Sequence, residues 1–256
     1  MKEIVKFIQE GLKITAKTKI NKYNYHPKTE KELHYLLKEL IEIEERGNED
    51  DFNDIDTSEI TDMSYLFYYK DKFNGDISNW DVSNVTDMTS MFNWCESFNQ
   101  DISNWDVSNV KDMGNMFFEC ESFNQPLNNW NVSNVKDMVY MFYGCKSFNK
   151  PLNNWDVSNV TDMSFMFYDC DSFNNDISNW DVSNVTDMRC MFDNCASFNQ
   201  PLNDWNVSNV TDMSFMFCWC GSFNQDISNW SVSNVKNNRK IFHNCPIEEK
   251  HKPKFE

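Results

Sequence analysis

FNQDISNWDVSNVKDMGNMFFECES, residues 98–122, is one copy of a unit that returns every 25 residues between Phe73 and Cys245 without an insertion or a deletion. Tryptophan stands in register at Trp80, Trp105, Trp130, Trp155, Trp180, Trp205 and Trp230, and cysteine at Cys95, Cys120, Cys145, Cys170, Cys195, Cys220 and Cys245. A fixed period of this length marks stacked equivalent units, each of which buries its apolar side against its neighbours. The sequence therefore predicts a repeat solenoid.

Within the unit, Val110, Met113, Met116 and Phe117 fall at i, i+3, i+6 and i+7, the spacing of one stripe on a short helical turn. Asn109 and Asp112 suit its start, because a side-chain oxygen can accept a free backbone N–H there and a carboxylate meets the positive helix end. Residues from about 100 to 105 read as extended. Pro126, Pro151 and Pro201 sit near the same place in other units, and proline donates no ladder bond, so the strand is expected to be short and to begin after them.

The flanks depart from the repeat. The first unit, residues 52–72, is short by four residues and carries Ile55 in the tryptophan position, and the last replaces the Asp-Met pair by Asn237 and Asn238. Upstream, Thr29 and Glu32 form a capping-box pattern ahead of Leu33, Leu36, Leu37, Leu40 and Ile41 on one face, with Gly47 as a stop signal. A further helix is expected over residues 2–12. The organisation read from this is an α-helical N-terminal cap over residues 1–50, a solenoid of about eight units over residues 51–245, and a charged, frayed tail over residues 246–256.

The chain has 256 residues and a formal net charge of −17, which turns the phosphate attraction used by nucleic-acid binders into repulsion. No run of about 18 apolar residues is present, and the start MKEIVKFIQEGLKI is charged where an export signal needs an apolar stretch. No membrane insertion, signal peptide or transmembrane segment is expected, and with Cys95 the first cysteine there is no lipobox.

The columns that could carry chemistry have simpler structural readings. Seven equivalent cysteines cannot fully pair, and a buried free cysteine behaves as a small hydrophobe; Cys190 and Cys218 lie outside the column and read as the more reactive thiols. Asp76, Asp81, Asp87 and their equivalents could line a calcium row, but DISNWDVSN is not a calcium-loop motif, and caps and turns account for them. Histidine occurs only at His26, His34, His243 and His251, and no asymmetric Ser, His and Asp set stands out. No enzyme, cofactor or metal site is expected.

Three columns vary between units while Trp, Val, Asp-Met, Phe and Cys hold. Aromatic residues gather in them: Tyr65, Tyr140, Phe165 and Phe215 in one, Tyr68, Phe118, Tyr143 and Tyr168 in the next, and Tyr69, Trp94 and Trp219 in the third. They should run along one side of the stack, where rings bury much area for little lost side-chain entropy, and they are the candidate face for a protein or glycan partner.

The pattern FNxDISNWDVSNVTDMxxMFxxCxS resembles the 25-residue repeat of the BspA-like leucine-rich repeat surface proteins, common in mycoplasmas and other host-associated bacteria, over residues 52–245. That resemblance implies a leucine-rich-repeat-like α/β solenoid, with a short parallel strand and a short helical turn per unit. It also implies surface display, adhesion or partner binding rather than catalysis, and carries over no catalytic residues. Cell-surface location follows from the resemblance alone. The alternative is a cytoplasmic protein-interaction module, virus- or phage-encoded, built on the same stack.

Overall fold

A computed structural model describes residues 23–42 and 46–255. The repeating unit is built from consecutive β-turns. In the unit of residues 98–122, backbone N–H groups close turns from Trp105 to Ile102 (3.1 Å), Val110 to Val107 (3.0 Å), Met116 to Met113 (3.2 Å), Phe118 to Asn115 (3.1 Å) and Cys120 to Phe117 (3.0 Å). Aspartate pins the turns between these: Oδ1 of Asp101, Asp106 and Asp112 accepts the N–H two residues on, from Ser103 (2.9 Å), Ser108 (3.1 Å) and Gly114 (2.9 Å).

Two residues per unit rule out a helix. Asn115 and Glu119 both have φ of 57°, in the left-handed region, and their counterparts from Tyr65 and Tyr69 to Lys240 and Asn244 share it. A right-handed helix needs negative φ at every residue, so the Met113–Phe117 stripe is a chain of turns whose ends face inward. Residues 100–105 are not a strand either, since Ile102 and Trp105 close a turn.

The units nevertheless stack in register. N–H groups of Met113, Asn115, Phe117 and Glu119 donate to the carbonyls of Asp137 (3.1 Å), Val139 (2.8 Å), Met141 (2.9 Å) and Tyr143 (2.6 Å) in the next unit. Parallel pairing is limited to isolated bridges such as Asp87 with Asp112 and Asp112 with Asp137, and among the described residues there is no strand and no sheet. The expected leucine-rich-repeat-like α/β solenoid with a helical cap is therefore not the architecture of this chain. Left-handed residues in each unit replace the helical turn, and a β-turn such as that from Ile102 to Trp105 replaces the strand.

Identical side chains stack through the interior. The ring of Phe117 lies 5.6 Å from Phe142 and within 7° of parallel, and 4.2 Å from Phe123, which opens the following unit. Trp105 and Trp130 are 6.5 Å apart at 3°. Each indole adds a second bond to a carbonyl that already closes a turn: Trp130 Nε1 donates to Ile102 O (3.1 Å), as Trp155 Nε1 does to Leu127 O (2.9 Å). The thiol of Cys145 does the same for Phe117 O (3.0 Å). The bond satisfies the indole N–H and the thiol where they are buried, so the carbonyl of the preceding unit lets tryptophan and cysteine fill the interior without an unpaired donor.

The one α-helix among the described residues, α1 (Glu30–Glu42), begins where the capping pattern places it. Thr29 Oγ1 accepts the Glu32 N–H at 3.2 Å, and Glu32 Oε2 accepts the Lys28 N–H at 2.7 Å. Leu33, Leu36, Leu37 and Leu40 are buried, and His34 Nε2 lies 3.3 Å from the Tyr65 carbonyl of the first unit. The helix expected over residues 2–12 lies outside the described residues. The tail is docked rather than frayed: Ile227 N–H donates to His251 O (3.0 Å), Glu248 N–H to Asn224 Oδ1 (2.9 Å), and Ile247 is buried.

Candidate functional site

The variable columns do form a continuous aromatic row. Two of the three are the left-handed positions, and the third lies between them in the chain. Along the row Tyr65 meets Tyr68 (5.5 Å), Tyr68 meets Tyr69 (4.5 Å), Tyr69 stacks on Trp94 (5.8 Å, 7°) and Trp94 reaches Phe118 (6.0 Å). From there Phe118 stacks on Tyr143 (4.4 Å, 5°), Tyr143 on Tyr168 (4.5 Å, 2°), and Tyr140 on Phe165 (4.5 Å, 12°). Such spacings are those of favourable ring pairs.

Exposure is graded along this row. Tyr65, Tyr68 and Tyr69 are 51%, 42% and 60% exposed, whereas Trp94, Phe118, Tyr140, Tyr143, Phe165 and Tyr168 are half-buried, each packed against a ring of a neighbouring unit. The row ends where Cys190, Asp193 and Asn194 fill its three columns. Phe215 and Trp219 are thus not joined to it: Phe215 lies under Arg239 and Lys240 (5.6 and 5.9 Å), and Trp219 meets His243 edge-on (6.0 Å).

Comparison of units could not show that α1 contributes to the exposed end. Tyr35 is 47% exposed beside a cleft of about 270 Å³ between α1 and the first unit, lined also by Leu37, Lys38, Tyr65 and Tyr68. Nothing in the repeat marks Tyr35, because α1 lies outside it.

The row's chemistry is that of neutral rings beside acids. Burial, followed by the neighbouring Tyr168 and acidic groups, pushes the Tyr143 hydroxyl up to about 12, and burial raises Tyr140 and Tyr168 as well. Their hydroxyls remain donors at neutral pH. Glu119 is raised chiefly by its own burial, and its carboxylate closes over Gly144, where any side chain would meet it.

The other columns are occupied by structural tasks. The thiol of Cys120 donates to Phe92 O at 3.0 Å, and burial raises its pKa well above the ordinary value. Cys190 and Cys218, expected to be the reactive pair, are also buried, and burial pushes them up to about 12 and about 11, which withdraws the nucleophilic thiolate. The side-chain amides of Asn84, Asn159, Asn184 and Asn209 donate to serine carbonyls of the preceding unit. Among the described residues no group of His, Cys, Asp and Glu is placed to hold a metal ion, and no helix is long and apolar enough to cross a membrane.

With this geometry in view, the chain matches a family described as "Mycoplasma protein of unknown function, DUF285" over residues 36–155 and again over residues 137–254. The chain belongs to that family. No curated protein and no solved structure matches it. The DUF285 description carries no leucine-rich repeat, surface or adhesive role, and turn-built units without a strand do not supply one, so the expected leucine-rich repeat surface protein is corrected to a member of a repeat family.

Proposed function

We propose that this DUF285 member is a non-enzymatic scaffold that binds a protein or glycan partner through the aromatic row from Tyr65 to Tyr168. The supporting observation is that row itself. Ring stacks of 4.4 to 4.5 Å join Phe118, Tyr143 and Tyr168, with Tyr140 on Phe165 beside them, at positions the interior packing leaves free to change. Rings already held by their neighbours lose little entropy on binding, and their neutral hydroxyls supply hydrogen bonds at the rim. The likeness of the unit to BspA-like repeats supports binding over chemistry at the level of the motif; surface location and adhesion form no part of this reading.

The test is a screen of the wild-type chain on glycan and peptide arrays, repeated with Tyr140, Tyr143, Phe165 and Tyr168 all changed to serine. The expected result is a bound class that the variant loses while its near-ultraviolet circular dichroism, dominated by buried Trp, stays intact. No bound class for the wild type, or undiminished binding by the folded variant, overturns the reading.

A further inference from the structure

One row of bonds between units, the one through the left-handed residues, runs in a single direction, and at the C-terminal end it leaves its donors open among the described residues. In the penultimate unit the N–H groups of Met213, Phe215, Phe217 and Trp219 donate to the carbonyls of Asn237 (2.9 Å), Arg239 (2.9 Å), Ile241 (2.9 Å) and His243 (2.8 Å). The final unit repeats the same turns, from Ile241 to Asn238 (3.2 Å), His243 to Lys240 (3.0 Å) and Cys245 to Phe242 (3.2 Å), and the same left-handed residues, Lys240 and Asn244, each with φ of 54°. Its N–H groups at Asn238, Lys240, Phe242 and Asn244 therefore face outward in the same row, and none has an acceptor among the described residues. The peptide groups of this row point the same way and leave a locally positive edge where the donors are free, although the row that includes Lys236 N–H to Thr211 O (2.8 Å) runs the other way.

Side chains reinforce that sign. The aspartate column that ends at Asp212 becomes Asn237, while Lys236, Arg239 and Lys240 are exposed and make no ion pair among the described residues. Arg239 and Lys240 are held over the Phe215 ring, which fixes them beside the row. The tail closes only the neighbouring side of this end, through Asn224, Ile227 and Phe242, where Lys252 Nζ sits 5.8 Å over the ring. Although the chain carries −17 overall, screening over about 8 Å at physiological salt lets these three local cations govern a contact.

We propose that this end docks an acidic, extended peptide segment of a partner, which continues the stack. Its backbone carbonyls at alternate residues accept from Asn238, Lys240, Phe242 and Asn244, and its carboxylates meet Lys236, Arg239 and Lys240. The donors fall at alternate residues, as they do along the edge of a strand, so the docking follows the principle of strand addition at an open edge. A second copy fits poorly, because α1, with His34 against the Tyr65 carbonyl, covers the first unit where the partner's carbonyl edge would have to be.

Fluorescence anisotropy with a labelled peptide of alternating Glu and Thr, against one of alternating Lys and Thr, tests this on the full chain. The acidic peptide should bind and the basic one should not. Lys236→Glu, Arg239→Glu and Lys240→Glu together should weaken binding at least about tenfold, since close opposite charges become like ones. Hydrogen exchange should slow at residues 238–244 in the bound state, a readout that charge attraction alone would not move. No binding, unchanged affinity in the triple variant, or unprotected amides overturns the proposal; full displacement by inorganic phosphate would reassign the end to a small oxyanion.

Discussion

The interior and the outer row of this molecule are both stacks of aromatic rings, yet they obey different rules. Inside, Phe142 lies 5.6 Å from both Phe117 and Phe167, is fully buried, and has phenylalanine above and below it. Outside, Phe165 stacks on Tyr140 at 4.5 Å, but the next unit offers Cys190 in its column, and the stack survives the change. A ring closed in on all sides is fixed by packing density, whereas one with a free face is fixed only by its backbone. The constant columns thus report what the fold requires, and the variable ones report where it leaves room.

The largest effect should come from breaking the interior. Phe142→Ala removes a fully buried ring that also packs on Phe148 at 4.4 Å, and is expected to cost about 3 to 5 kcal/mol. Phe165→Ala, on the half-buried row, should cost roughly 1 kcal/mol, the order of one ring pair. Urea denaturation of both variants checks this, with midpoints compared because stacked repeats need not unfold in one step. Equal losses would remove the distinction between the two regions.

The point where the outer row stops provides the next test. Asp193 stands among aromatic counterparts in its column, is 8% exposed, and is pushed up to about 6, chiefly by burial. A carboxyl raised in the folded state favours folding while it is protonated in both states, below its ordinary value of 3.8, and that contribution is lost as pH rises from there through about 6. At pH 8 the penalty should be up to about 3 kcal/mol at 1.36 kcal/mol per unit. Asp193→Asn should therefore melt higher than wild type at pH 8 and alongside it at pH 4. A difference that does not change with pH would mean the carboxylate is solvated.

The sequence showed the register and composition of the interior, because a 25-residue period with constant Phe, Trp and Cys can only place those residues in columns. It also showed α1, since Thr29 and Glu32 make a local signal that needs no partner. The path of the chain within a unit was misread for a physical reason. Successive β-turns bring residues i and i+3 inward, so Met113, Met116, Phe117 and Cys120 repeat the spacing of a helical stripe while the chain passes through left-handed φ. The aromatic row was visible by comparing units, but its break before Phe215 needed the ring distances. The open donors at residues 238–244 belong to the backbone and leave no mark on side-chain identity.

One signal for the left-handed residues was present all the same. The columns of Asn115 and Glu119 hold Tyr, Ser, Asn, Phe, Cys, Lys, Trp, Glu, Asp and Gly, and never Val, Ile or Thr. A branched Cβ is the group that suffers most at positive φ, so the columns are free in polarity and size but not in shape. The smallest of these effects follows from that. Asn115→Val should cost about 2 kcal/mol, within the range for a strained backbone residue, while Asn115→Gly should gain a few tenths to about 1 kcal/mol. Lys111→Val, on an exposed residue of the same unit outside the positive-φ columns, should stay within about 0.5 kcal/mol. Thermal melts of the three variants decide it: if valine is as well tolerated at Asn115 as at Lys111, the outer columns are constrained by something other than backbone shape.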